Sequence, residues 1–155
     1  MLVDGLDIFE SRYIGIALYG YLSEVRNCRI LNVGLSTVVP YQAFGIVAAG
    51  GGNQIRGNFI EAVFAVDSSG PAGGNVAGGI SVSRGGSPIS TRVSDNFIYG
   101  VTSPTFSAGI ACNSGGVINI SGNDVLVSEY LIGRAWNTAG CQDLGGNAYI
   151  GLPPS

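Results

Sequence analysis

Short apolar stretches ending in Gly, Asn or Asp recur along the chain. One six-residue pattern occurs six times: Val3-Asp4-Gly5-Leu6-Asp7-Ile8, Val25-Arg26-Asn27-Cys28-Arg29-Ile30, Ile55-Arg56-Gly57-Asn58-Phe59-Ile60, Val93-Ser94-Asp95-Asn96-Phe97-Ile98, Ile120-Ser121-Gly122-Asn123-Asp124-Val125 and Leu144-Gly145-Gly146-Asn147-Ala148-Tyr149. The first position is always aliphatic, and the third is always Gly, Asn or Asp. These three residue types best tolerate a left-handed backbone, so the third position predicts a tight corner. The aliphatic residues on either side are predicted to point inward from two strands that meet there. The fourth position is Asn in four copies, at Asn58, Asn96, Asn123 and Asn147. Stacked strands lie about 4.8 Å apart, close enough for equivalent Asn amides to bond in a ladder. Leu6 and Cys28 interrupt this ladder, and the N-terminal end is expected to be looser.

A second motif lies between the hexapeptides: Gly15-Ile16-Ala17-Leu18, Gly45-Ile46-Val47-Ala48, Gly79-Ile80-Ser81-Val82 and Gly109-Ile110-Ala111-Cys112, with a weaker copy at Leu131-Ile132. Its alternation predicts a short strand with Ile and its i+2 partner inside. No stripe of period 3.6 predicts a helix. The hexapeptides start at 3, 25, 55, 93, 120 and 144, so the spacings are 22, 30, 38, 27 and 24 residues. The shortest suits three strands and three corners; the longer ones carry loops. Leucine-rich repeats share the period but not the pattern, and a propeller blade needs about 40 residues. The repeat resembles that of the pectate-lyase-like superfamily. The implied fold is all-β: a right-handed parallel β-helix, a single-stranded solenoid of about five to six coils, as one domain over residues 1–155.

The enzymes of that superfamily carry motifs that do not match here. Pectate lyases use an acidic calcium cluster with a basic proton acceptor. Polygalacturonases use paired aspartates with Gly-His-Gly and Arg-x-Lys segments, and alginate epimerases an Asp-Pro-His-Asp segment. This chain has no Lys and no His. Acid–base chemistry would rest on Asp, Glu, Arg or Tyr, and no catalytic residue is assigned.

Composition narrows the picture further. Charged residues make up 11%, against roughly 25% in a typical soluble domain. The net charge of −3 gives no footprint for nucleic acid. No apolar run approaches the ~18 residues of a membrane span, and no signal peptide is visible at Met1-Leu2-Val3-Asp4; the compartment is left unassigned. Cys28, Cys112 and Cys141 lack metal-ligand spacing, so no metal or cofactor is expected. They are expected to be mostly buried thiols, with one internal disulfide at most.

Aligning the repeats stacks side chains into columns. Position two gives Asp4, Arg26, Arg56, Ser94 and Ser121; position five gives Asp7, Arg29, Phe59, Phe97 and Asp124. Asp4–Arg26 and Asp7–Arg29 are expected ion pairs, and Phe59–Phe97 an expected aromatic stack. Arg26 and Arg56 read as a uronate clamp or, the favoured reading, as a solvated pair beside Asp4 and Glu61. Three insertions, 36–44, 67–78 and 102–108, leave the same corner and build one edge. That edge carries the expected ligand-binding residues Tyr41, Phe44, Asp67, Asn75 and Phe106, whose aromatic faces and polar groups suit sugar rings; covering the core is the alternative. Residues 84–90 and 134–143 leave another corner, with Trp136 as platform or lid.

The outward residues of the Gly-Ile strands, Ala17, Val47, Ser81 and Ala111, are expected to form a flat face of the kind a soluble monomer rarely leaves bare. With the low charge and an uncapped first coil, this points to a homo-oligomer. The function expected is a non-catalytic β-helix protein acting through a binding or assembly surface, with polysaccharide as the partner. Two other readings stand beside it: a polysaccharide lyase or glycoside hydrolase, or a section of a larger one such as a phage tailspike; and a purely structural oligomer.

Overall fold

The computed structural model describes residues 1–34, 42–65, 76–83, 88–103, 106–113, 118–127, 133–136 and 140–150. The described residues form seventeen strands, β1–β17 in chain order, and no helix. Among the described residues no helix is long and apolar enough to cross a membrane. The strands form three parallel sheets. The first contains β1 (Leu2–Asp4), β4 (Glu24–Arg26), β7 (Gln54–Arg56), β10 (Thr91–Ser94), β13 (Ile118–Ser121) and β16 (Cys141–Asp143). The second contains β2 (Asp7–Phe9), β5 (Arg29–Val33), β8 (Phe59–Phe64), β11 (Phe97–Thr102), β14 (Asp124–Val127) and β17 (Ala148–Ile150). The third contains β3 (Ile14–Tyr19), β6 (Gln42–Ala49), β9 (Val76–Ser83), β12 (Phe106–Asn113) and β15 (Gly133–Trp136). Each strand pairs with its equivalent one repeat away, so a residue's neighbours in the sheet are its neighbours in the sequence alignment.

The hexapeptide spans the corner between the first and second sheets. All six third positions have positive φ: Gly5 65°, Asn27 53°, Gly57 62°, Asp95 56°, Gly122 63° and Gly146 73°. Before the corner Val25, Ile55, Val93 and Ile120 are buried; after it come Ile30, Ile60, Ile98 and Val125. Burying each such side chain contributes about 2 kcal/mol. The sixth copy slips by one residue. Asp143, not Leu144, stands in register with Ile120, and Leu144 is exposed. Register is regained at Ala148 opposite Asp124. Asp143 Oδ1 accepts from Asn147 Nδ2 at 2.6 Å and from the Gly145 N–H at 2.7 Å, which closes this wider corner.

The Asn column forms as expected. Asn58, Asn96 and Asn123 each donate Nδ2 to the Oδ1 of the next Asn, at 2.9, 3.0 and 2.8 Å. That same Oδ1 also accepts the backbone N–H of the donor, at 3.0, 3.1 and 2.9 Å. The second amide hydrogen goes to the first-position carbonyl one repeat back: Val25, Ile55, Val93 and, from Asn147, Ile120. A buried amide without partners is costly, and here every Nδ2 has at least two acceptors.

The glycine of each Gly-Ile motif has a packing cause. A Cβ on Gly15, Gly45 or Gly79 would stand 2.6 Å from the carbonyl oxygen of the next motif glycine. It would also meet Cγ2 of Ile30, Ile60 or Ile98 across the core, at 2.4–2.6 Å. The missing side chain lets the second and third sheets close on each other.

Three features differ from expectation or are absent from it. Cys112 and Cys141 form a disulfide, Cα atoms 5.3 Å apart, joining the third sheet to the first; Cys28 alone is a free buried thiol. Register brings the two together, although their separation of 29 residues carries no motif. A second left-handed position recurs in the second-sheet strands at Asn32, Ala62 and Gly100 (φ 58°, 62°, 68°), where one residue of each strand drops out of the pairing while the register on either side is kept. A second polar ladder lies at the third-to-first corner. There buried Asn53 accepts the Ser23 N–H at 3.0 Å and donates to the Gly20 and Gly50 carbonyls at 3.2 and 3.1 Å.

Candidate functional site

On the first sheet's outer face, Arg26 donates Nε and Nη2 to Asp4 Oδ2 at 2.9 and 2.7 Å. Asn27 Nδ2 adds a bond to Asp4 Oδ1 at 3.0 Å. Arg26, then Asn27, hold the Asp4 carboxyl below the usual carboxylate range. Arg56 is paired at 2.7 Å with Glu24 of the neighbouring strand β4, while Glu61, expected beside the arginines, stands on the second sheet. Both guanidinium groups are thus engaged by carboxylates, which weakens an anion clamp.

The third sheet's outer face is less flat and bare than expected. Ala17, Val47, Ser81 and Ala111 do align in register. Ala17 is exposed and Val47 half-buried, whereas Ser81 (7%) and Ala111 (6%) are buried. Asn113 Nδ2 reaches back to Ser81 Oγ at 3.0 Å. Four exposed apolar residues, Tyr19, Tyr21, Leu22 and Ile89, fall at the third-to-first corner. Leu22 and Ile89 flank Gly52, whose Cβ would sit 2.8 and 2.9 Å from them.

Of the residues expected on the loop edge, Tyr41, Asp67 and Asn75 lie outside the described residues. Phe44 and Phe106 belong to strands β6 and β12, with β9 between them. The Phe44 ring lies over Gly78, and both phenylalanines are half-buried. Trp136 is on β15, in register with Ile110.

The second sheet's outer face holds a continuous column: Asp7, Arg29, Phe59, Phe97, Asp124 and Ala148. Phe59 and Phe97 stack with centroids 5.1 Å apart and planes 8° from parallel. Arg29 does not pair with Asp7. Its guanidinium lies 5.9 Å from the Phe59 centroid, where the ring face offers an attraction that an exposed ion pair scarcely exceeds. One face of Phe97 rests on Phe59. The other looks toward β14 and an open, mostly apolar depression of about 270 Å³, lined by Phe97, Asp124, Val125, Leu126, Ala148, Tyr149 and Ile150. The alignment had grouped these ring and carboxylate positions, yet the sequence reading placed the site elsewhere. The signal was the change from Phe97 to Asp124 and Ala148 within one outward column: a large ring followed by two small residues leaves room above it.

Compared with known protein families, curated proteins and solved structures, the chain matches none at a significant level.

Proposed function

We propose that the three parallel sheets wind as a right-handed parallel β-helix of about six coils, similar to those of the pectate-lyase-like superfamily. On it sits a non-catalytic, carbohydrate-directed binding surface, on the outer face of the second sheet. One observation carries this reading: the Phe59–Phe97 stack presents an open aromatic face beside Asp124, in a depression the size of a single ring. An aromatic face attracts the C–H face of a pyranose, and a carboxylate accepts from its hydroxyls. The volume is at the small end for ligand pockets, which run from about 300 to 1,000 Å³, so one sugar unit would be held and the rest of a chain would run along the sheet. The strand spacing of about 4.8 Å is close to the length of one sugar unit, which favours a ligand lying along the column. The test is oligosaccharide binding by calorimetry to the parent and to Phe97→Ala. Phe97 is 41% exposed, so its truncation leaves the core intact. A loss of about tenfold or more (roughly 1.4 kcal/mol) is expected; equal binding by the two proteins would refute the site.

A second reading, self-assembly, is favoured by the exposed corner of Tyr19, Tyr21, Leu22 and Ile89. A copy docked there would remove large apolar side chains from water. Light scattering of the parent and of Leu22→Arg tests it, with a monomer mass for the parent counting against it.

A further inference from the structure

We infer that the ring bound at Phe97 carries a positive charge: the ligand is an amino sugar with a free ammonium group, not a uronate. This rests on the reading of the second-sheet face given above. Among the seven lining residues Asp124 alone is charged. Its side chain has no hydrogen-bond or ion-pair partner among the described residues. A carboxylate only accepts, so the group opposite it must donate. The face of Phe97 adds a second preference of the same sign, because the ring quadrupole is negative above its plane. An ammonium on a stacked pyranose meets both at once, and its bond to a carboxylate is charge-assisted.

The column itself supplies the precedent. At its other end Arg29 already lies over the outer face of Phe59. The stack of two rings is therefore capped by a cation on one side and open on the other. No basic residue lines the depression: among the described residues Arg26 and Arg56 are tied to Asp4 and Glu24 on the first sheet, and Arg29 is separated from the depression by both rings. A uronate at Phe97 would face Asp124 unscreened, in a chain of net charge −3.

The experiment titrates the parent chain, Asp124→Asn and Phe97→Ala with four probes by calorimetry. The probes are glucosamine oligomers, their N-acetylated counterparts, galacturonate oligomers and a lysine oligopeptide. The parent is expected to bind the glucosamine oligomer about tenfold more tightly than the N-acetylated one. The galacturonate oligomer should be the weakest sugar. Asp124→Asn should weaken the glucosamine oligomer more than the N-acetylated one and so shrink the ammonium preference severalfold, and Phe97→Ala should lower the affinity for both. Raised salt should shrink the preference. Equal affinity for charged and N-acetylated oligomers, or tighter galacturonate binding, would overturn the charge inference while Phe97-dependent binding upheld the site. No sugar binding at all, or binding of the lysine peptide alone, would overturn both.

Discussion

The middle repeats and the first repeat are built from one sequence pattern with different results. At Asn58, Asn96 and Asn123 the corner amide is buried, and every Nδ2 is shared between a neighbouring Asn and a backbone carbonyl. In the first repeat the same position is Leu6, exposed, and the inward Val3 and Ile8 are only half-buried. Cys28 stands between the two regimes. It is buried, its N–H bonds Asn58 Oδ1 at 3.0 Å, and its thiol reaches the Arg26 and Val3 carbonyls at 3.2 and 4.0 Å. The aliphatic positions alone therefore suffice to align a strand. The left-handed corner forms without the ladder, as at Gly5 and Asn27; what the amide ladder adds is a tie between corners, because each rung bonds both the next corner and the preceding strand.

Core truncation gives the largest contrast. Ile98 is fully buried between neighbouring rungs and packs against the backbone of Gly79. Ile98→Ala is expected to cost about 4 kcal/mol, and Ile8→Ala at the edge strand β2 about 1.5 kcal/mol. Urea denaturation of the two variants measures the difference. Equal losses would mean that the first repeat is as well packed as the middle ones.

Breaking the ladder comes next. Asn96→Ala removes the oxygen that accepts both the N–H and the Nδ2 of Asn58. Two buried donors are then orphaned, so the expected loss is about 3 kcal/mol. Hydrogen exchange at the Asn58 amide should rise with it. Unchanged protection there would show that the rungs do not support one another.

The opposite change sharpens the comparison. The Cys28 thiol already points at the Val3 carbonyl, the place an Asn amide occupies in later repeats. Cys28→Asn should extend the ladder by one rung toward Leu6 and gain about 1 kcal/mol. A loss of stability by thermal denaturation would contradict the view that ladder length limits this end.

Most of the architecture was legible in the sequence, because parallel in-register stacking turns alignment columns into spatial neighbours. Thus the left-handed third positions, the Asn58–Asn147 column, the Asp4–Arg26 pair and the Phe59–Phe97 stack follow from residue types at equal offsets. Where the offset changes, the columns mislead: Leu144 was aligned with Ile120, but two successive glycines let Asp143 take that register. The left-handed bend at Ala62 was hidden because alanine carries no preference for that conformation. Asp7–Arg29 failed for another reason. Column neighbours compete for partners, and the large ring of Phe59 on the far side holds the guanidinium. The candidate site was half legible: its residues were in the columns, but its opening appears only when the size of successive side chains along one column is compared.

The smallest effect concerns the polar network beside the hexapeptide corner of the first repeat. Asp4 accepts from Arg26 and from Asn27, and those bonds, in that order, hold its carboxyl below the usual carboxylate range. A group whose folded-state value is depressed contributes stability that is fully present above its unfolded value and lost as pH falls through the folded one. The contribution should therefore be intact at neutral pH and decline only below about pH 4. Asp4 and Arg26 both reach solvent, so the effect is screened and small. Asp4→Asn removes the titration while keeping an acceptor for Asn27. Thermal denaturation of parent and variant at pH 7 and at pH 3 should show a stability difference at pH 7 that narrows at pH 3, and narrows likewise in high salt. A difference that persists undiminished at pH 3 and in salt would assign the role of Asp4 to its neutral hydrogen bonds, and would leave the first repeat without an electrostatic substitute for the missing amide rung.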